Sequence, residues 1–179
     1  MAIAMGTYSL GPETGELLVH TRRRGAASKA GHDLEMVVTR WSATLNLGVA
    51  SSVTLSADSS SLRVREGRGG VKSLDEDDKE NIRQTIDDEV LKRTPIEFRS
   101  TEVEGTADGG QLRARGQLEL MGQTRPLEFV LELTDDNHLT GRATVKQTEW
   151  GMKPYTALFG ALKVADEVVI TVEARLQSR

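Results

Sequence analysis

The sequence predicts an all-β protein with one main helix, in which about eight antiparallel strands curl into a barrel. Three observations favour this fold class: apolar residues alternate with polar ones along most of the chain, short turns join neighbouring runs, and only one segment has helical spacing. Successive side chains of a strand point to opposite faces, so each run has one apolar face. Closing the sheet removes its edges, which favours a barrel, and a sandwich is the alternative.

The clearest element is a hairpin in the middle of the chain. Apolar or small residues occupy every second position over 112–120 and again over 127–133. The turn between them contains Gly122, which can adopt a positive φ, and Pro126, which can begin a strand. This stretch therefore predicts two antiparallel strands.

Other alternating runs predict the rest of the sheet. A long strand is expected over 32–47, with Val37, Thr39 and Trp41 on one face. Its partner starts at Val53, and a shift of the alternation at 59–61 predicts a β-bulge. Shorter runs predict strands at 7–10, 17–21, 96–100, 139–146 and 168–176.

One segment, over roughly 75 to 92, has apolar residues at helical spacing. Four consecutive acidic residues open it, and Lys92 and Arg93 close it, so the charges oppose the helix macrodipole at both ends. Pro95 then stops the helix. These features predict the single main helix.

Length and composition limit the class of protein. The 179 residues suit a single domain over 1–179, and the net charge of −4 provides no global field that favours nucleic acid or an anionic membrane. The chain has no cysteine, which excludes disulfides and thiolate sites. No window is long enough for a membrane span, so we expect no stable membrane insertion. The opening residues lack a signal-peptide pattern, so a cytoplasmic protein is expected.

The predicted interior is lined by many small residues and few large ones. The small inward positions are Thr39, Ala43, Ala57, Ala114, Gly116, Gly141, Ala143 and Ala174. Such residues fit either a tapered, tightly packed core or an elongated apolar cavity for a lipid-like ligand. For a cavity, the predicted ligand contacts are Trp41, Ala43, Ala57, Phe98, Ala114, Leu118, Phe129, Leu131, Ala143, Val145, Trp150, Tyr155 and Phe159.

Two motifs resemble the YceI-like family. Residues 90–101, VLKRTPIEFRST, are similar to the family's junction of helix and strand, and residues 116–127, GQLELMGQTRPL, are similar to its hairpin. Residues 58–62 resemble the end of a family strand, and His32 is similar to the family's early histidine. The resemblance covers most of the chain. It implies a lipocalin-like antiparallel barrel, often a homodimer, that binds a long isoprenoid chain without doing chemistry on it.

Candidate chemistry outside the interior is sparse. The glycine-rich loop over 67–73 lacks the contiguous Gly-Lys-Ser of a phosphate-binding loop. Arg68, Lys72 and His32 are candidates for a ligand head group, and a plain surface loop is the alternative. The three histidines are scattered, which argues against a metal site, and no Gly-x-Ser-x-Gly elbow is present.

The apolar segment over 150–160 has two predicted roles, a lid over the barrel mouth or part of a dimer interface. Together these features predict a carrier or store of a long-chain lipid, with no cofactor other than that ligand. Two alternatives stay open: an enzyme that acts on a small apolar or pyrophosphate-bearing substrate in the same cavity, and a filled barrel that serves as a dimeric assembly module.

Overall fold

The computed structural model describes residues 3–106, 108 and 110–177. Within these residues the chain forms fourteen strands and one α-helix, α1 (Glu76–Thr85). The strands are β1 (Gly6–Leu10), β2 (Gly15–Thr21), β3 (Arg23–Arg24), β4 (His32–Val38), β5 (Trp41–Leu47), β6 (Ser52–Ala57), β7 (Leu62–Gly69), β8 (Ile96–Thr106), β9 (Gln111–Leu120), β10 (Gln123–Leu133), β11 (His138–Lys146), β12 (Thr156–Ala157), β13 (Leu162–Val164) and β14 (Glu167–Arg175).

Eleven of these strands form one curled antiparallel sheet, in the order β1-β5-β6-β8-β9-β10-β11-β14-β2-β4-β7. The curled sheet is a half-barrel of lipocalin-like shape. The predicted number of eight strands is not confirmed, because the two long predicted strands, over 32–47 and from Val53 onward, are each broken by a corner. The three remaining strands form a small separate sheet in the order β12-β13-β3.

The corners bend a long two-stranded ribbon without ending its pairing. The predicted strand over 32–47 breaks between Val38 and Trp41, and its partner breaks at Ser59–Ser61, which form a 3₁₀ turn instead of the predicted bulge. The Thr39 N–H donates to the Ser61 carbonyl across the bend at 3.0 Å. β5 lies near one end of the strand order and β4 near the other, and the corner joins the two strands directly. The corner therefore draws the two ends of the sheet together and curls it.

The corner also reverses the predicted face of the first half of that strand. Thr39 is exposed, and Met36 and Val38 are buried in place of Val37. Strand periodicity holds only within an unbroken strand, so a corner between Val38 and Trp41 resets which residues point inward.

The predicted hairpin is confirmed as β9 and β10. Its turn residues Met121 and Gly122 have φ of 54° and 73°, the positive values that a two-residue turn needs to match the twist of its strands. Pro126 lies inside β10 rather than at its start. β11 pairs with β10 only from Val130 onward, so one side of β10 has no neighbouring strand at Pro126. The missing N–H of proline therefore costs no hydrogen bond on that side.

The predicted helix is confirmed as α1 followed by one wider turn, Ile86–Val90. A capping box starts it: the Asp78 N–H donates to the Asp75 carboxylate at 2.8 Å, and the Asp75 N–H donates to the Asp78 carboxylate at 3.2 Å. Since α1 connects the end of β7 to the start of β8, it lies across one end of the curled sheet. We call this end the mouth.

Candidate functional site

The concave side of the sheet encloses an apolar cavity of about 570 Å³. Residues of most strands of the curled sheet contribute to its wall, and α1 covers part of the mouth. The volume is well above the roughly 150 Å³ of an apolar cavity that stays dry and admits benzene. It falls within the range of about 300–1,000 Å³ that is typical of ligand sites. The side chains therefore leave room for a sizeable apolar molecule.

Small residues keep this space open. Ala43, Ala57 and Ala143 line the cavity together with Gly141. A Cβ atom on Gly141 would lie only 2.6 Å from Cδ2 of Leu131, so even the smallest side chain there would press on the neighbouring wall. Gly141 thus lets Leu131 and Val172 pack closely in the wall, and the three alanines leave space in the lumen.

Two aromatic rings stiffen one side of the wall. The rings of Phe98 and Phe129 lie with centroids 5.0 Å apart and planes tilted by 60°, a favourable arrangement for an aromatic pair. Gly116 lies beneath them, where a Cβ atom would come within 2.7 Å of Cζ of Phe98. The glycine lets the tip of the Phe98 ring approach the backbone of β9 closely.

Most residues predicted to contact a ligand do line the cavity. These are Trp41, Ala43, Ala57, Phe98, Leu118, Phe129, Leu131, Ala143, Val145 and Tyr155. Three others lie elsewhere. Ala114 is fully buried within the wall, Trp150 packs outside the lumen with its indole N–H donating to the Leu118 carbonyl at 2.9 Å, and Phe159 projects into solvent.

The predicted head-group residues are not brought together in the cavity. His32 lines it near the mouth, with Nε2 2.8 Å from the carbonyl oxygen of Lys72. The side chains of Arg68 and Lys72 lie outside the lining and pair with Glu66 and Asp78 at 3.4 and 3.3 Å. The contacts of Lys72 with His32 and Asp78 tie the loop after β7 to the rim and to α1.

The acidic start of α1 is stabilised in its charged form. Hydrogen bonds, first from the Asp75 backbone N–H and then from Lys72, lower the pKa of Asp78. This side of the mouth therefore stays negative at neutral pH.

Sequence reasoning missed the polar residues of the mouth. Asn81 and Thr85 of α1 line the cavity beside Ile82 and Ile86. Helical spacing indicated an apolar helix face but not which surface it covers. Gln147 also lines the cavity, and its side-chain amide donates to the Ala165 carbonyl at 3.1 Å.

One polar atom of the wall is buried without a partner. The indole N–H of Trp41 makes no hydrogen bond with the described residues. Among those residues, no three His, Asp or Glu side chains cluster in a way that could hold a metal ion. No helix in the described ranges is long and apolar enough to cross a membrane.

Comparisons with known proteins agree on one family and one fold. The family model of the YceI-like domain matches residues 20–176. The structure is similar to BcnA of Burkholderia cenocepacia, with a TM-score of 0.63, 14% identity, and coverage of 92% of this chain and 96% of that chain.

It is also similar to the YCEI protein of Campylobacter jejuni, with a TM-score of 0.55, 11% identity, and coverage of 80% of this chain and 85% of that chain. A mutant CJ YCEI protein with a monobromobimane guest aligns with a TM-score of 0.57 and 10% identity over the same shares of the two chains. At these identities the likeness concerns the fold. No curated protein sequence matches this chain.

Proposed function

This chain belongs to the YceI-like domain family, and we propose that it is a non-enzymatic carrier or store of a long-chain isoprenoid or a similar lipid. The observation that carries the proposal is the cavity of about 570 Å³ on the concave side of the sheet, lined almost entirely by apolar side chains. The sequence resemblance supplies the expected ligand class, and the cavity supports it.

Burial alone gives such a site useful affinity. Each methylene group moved from water into an apolar cavity contributes about 0.8 kcal/mol, so ten of them contribute about 8 kcal/mol before the entropic cost of association. The entropic cost of association is subtracted from this gain, and every two further buried methylene groups raise the affinity by more than tenfold. A long hydrocarbon chain therefore binds well without any charged contact.

Backbone carbonyls hold two polar side chains at the mouth. Nε2 of His32 is engaged by the Lys72 carbonyl, and the amide of Gln147 by the Ala165 carbonyl. These contacts fix the two side chains against the rim of the cavity.

The test is the identity of the material that the protein carries. Natively purified protein is extracted with organic solvent and the extract is analysed by mass spectrometry. We expect a long-chain apolar molecule in near-stoichiometric amount, and the stripped protein should rebind farnesol. Protein that is empty and does not take up farnesol would overturn the proposal. Turnover of a test ester or pyrophosphate by the stripped protein would favour the enzyme instead.

Dimerisation and a cytoplasmic location stay predictions. Light scattering of the purified protein tests the first, and fractionation of the source cells tests the second.

A further inference from the structure

A basic and apolar surface flanks the mouth around β3 and β13. It consists of the exposed residues Arg22, Arg24, Lys29, Lys153, Leu158, Phe159 and Lys163, which we call the mouth surface. Residues 22–32 and 150–165, which contain all of them, include no aspartate or glutamate. The chain as a whole has a net charge of −4, so positive charge is concentrated here.

The small sheet places like charges side by side. Lys163 of β13 lies directly opposite Arg24 of β3 in the strand register. Like charges at such positions destabilise a sheet in isolation. Within the described residues no carboxylate forms an ion pair with either side chain, although Arg65 and Arg115 elsewhere are paired with glutamates. An external anion would relieve the repulsion.

An apolar tip projects from the same surface. The side chains of Leu158 and Phe159 have 57% and 112% of their reference areas exposed. Both residues have positive φ, 52° and 56°, a conformation that is strained for bulky side chains. The Ala27 N–H donates to the Ala161 carbonyl at 2.9 Å and ties this turn to the chain after β3. The fold thus holds two large apolar side chains in water at a cost in backbone energy.

The mouth surface is continuous with the cavity. Tyr155, Leu162 and Val164, on either side of the tip, line the cavity, and so does Gly31 of the neighbouring segment. A ligand that passes this rim would pass the tip and the basic side chains.

We propose that the mouth surface docks on an anionic lipid bilayer, with Leu158 and Phe159 in the interface and the basic side chains against lipid phosphates. Apolar tips among lysines and arginines have the composition of interfacial membrane anchors. Docking would open the cavity toward the apolar phase. The acidic start of α1 would be repelled by the anionic lipids, so the molecule would dock with β3 and β13 against the bilayer.

Vesicle flotation is the first test. It measures binding to the membrane and does not depend on which ligand the cavity holds. The protein should bind vesicles that contain phosphatidylglycerol and not vesicles of phosphatidylcholine alone, and salt should weaken the binding. Neutralising Lys153 and Lys163 together (K153Q with K163Q) should reduce binding by about 25-fold, at roughly fivefold for each charge. Arg175→Gln at the far end of β14 is the matched control and should leave binding near the wild-type value.

The apolar tip is tested separately. Phe159→Ser should reduce binding by about tenfold, because the buried ring supplies most of the apolar contact. Val49→Ser is the control, since Val49 is equally exposed but lies in the turn between β5 and β6, at the opposite end of the sheet. Circular dichroism of each variant verifies folding.

A direct readout uses the absence of cysteine from the chain. A polarity-sensitive dye on Phe159→Cys should shift to the blue on anionic vesicles, and the same dye on Val49→Cys should not. If charge neutralisation abolishes binding while the dye at 159 does not respond, the apolar tip does not enter the interface and the proposal is wrong. Equal binding to both vesicle types would also overturn it. Empty but vesicle-binding protein would contradict the carrier proposal and leave docking standing.

Discussion

Replacing Ala143 by leucine places three additional carbon atoms in the cavity. These atoms exclude about three methylene groups of a ligand that fills the cavity. At about 0.8 kcal/mol for each group, the binding free energy weakens by about 2.4 kcal/mol, so the affinity falls roughly 60-fold. Ala143 lines open space, so the ligand-free protein should lose no stability. In a tightly packed core the same change would cost about 1–3 kcal/mol through overpacking.

The assay combines urea unfolding of the stripped protein with displacement of a fluorescent polyene fatty acid by farnesol. The matched control is Thr144→Leu, which adds a leucine to the exposed face of the same strand and should leave the affinity unchanged. A variant that loses stability by 1–3 kcal/mol and binds farnesol like the wild type would refute the reasoning, because the lumen would then be packed rather than hollow.

Three further predictions concern the frame around the cavity. Trp150→Phe removes the buried hydrogen bond from the indole N–H to the Leu118 carbonyl, so urea unfolding should show a loss of about 0.5–1.5 kcal/mol. Gly122→Val forces a β-branched residue to φ 73°, and urea unfolding should show a loss of about 1 kcal/mol or more. Hydrogen bonds from the Thr148 hydroxyl and backbone N–H lower the pKa of Asp166. The Asp166 carboxylate is therefore protonated at a higher pH in the unfolded chain than in the folded one. The stability that its ionised form contributes is complete above the unfolded pKa of 3.8 and is lost as the pH falls through the lower pKa of the folded state. Asp166→Asn should flatten that part of the acid-unfolding curve.

Each of these predictions has a specific control or contrary outcome. Trp41→Phe removes an indole N–H that has no partner among the described residues, so a loss as large as that of Trp150→Phe would contradict the hydrogen-bond argument. Gly48→Val introduces the same side chain into open space without a positive φ and should cost little. An acid-unfolding curve of Asp166→Asn that follows the wild type would show that the carboxylate contributes nothing.

Local patterns predicted the elements but not how the sheet bends. The hairpin around Gly122 and the capped helix α1 follow from short-range chemistry and are confirmed. The break between Val38 and Trp41 depends on Ser61, which is far along the chain, and the alternation continues through it without a visible signal. Two corners of this kind raised the number of strands in the curled sheet to eleven.

The same limit applies to the site. Ala114 and Ala143 occupy equivalent inward positions in their strands, yet Ala143 lines the cavity and Ala114 is sealed within the wall. Which of them meets open space depends on the side chains opposite, a property of the folded sheet. Phe159 was predicted among the ligand contacts because it is apolar, and only the left-handed turn of the backbone shows that it points outward.

Native mass spectrometry tests the central claim most directly. The chain has a mass of 19.6 kDa, and the gently purified protein should show one additional apolar molecule that is lost on activation in the gas phase and replaced when farnesol is added. Protein that appears only at the mass of the bare chain, before and after the addition of farnesol, would contradict the account.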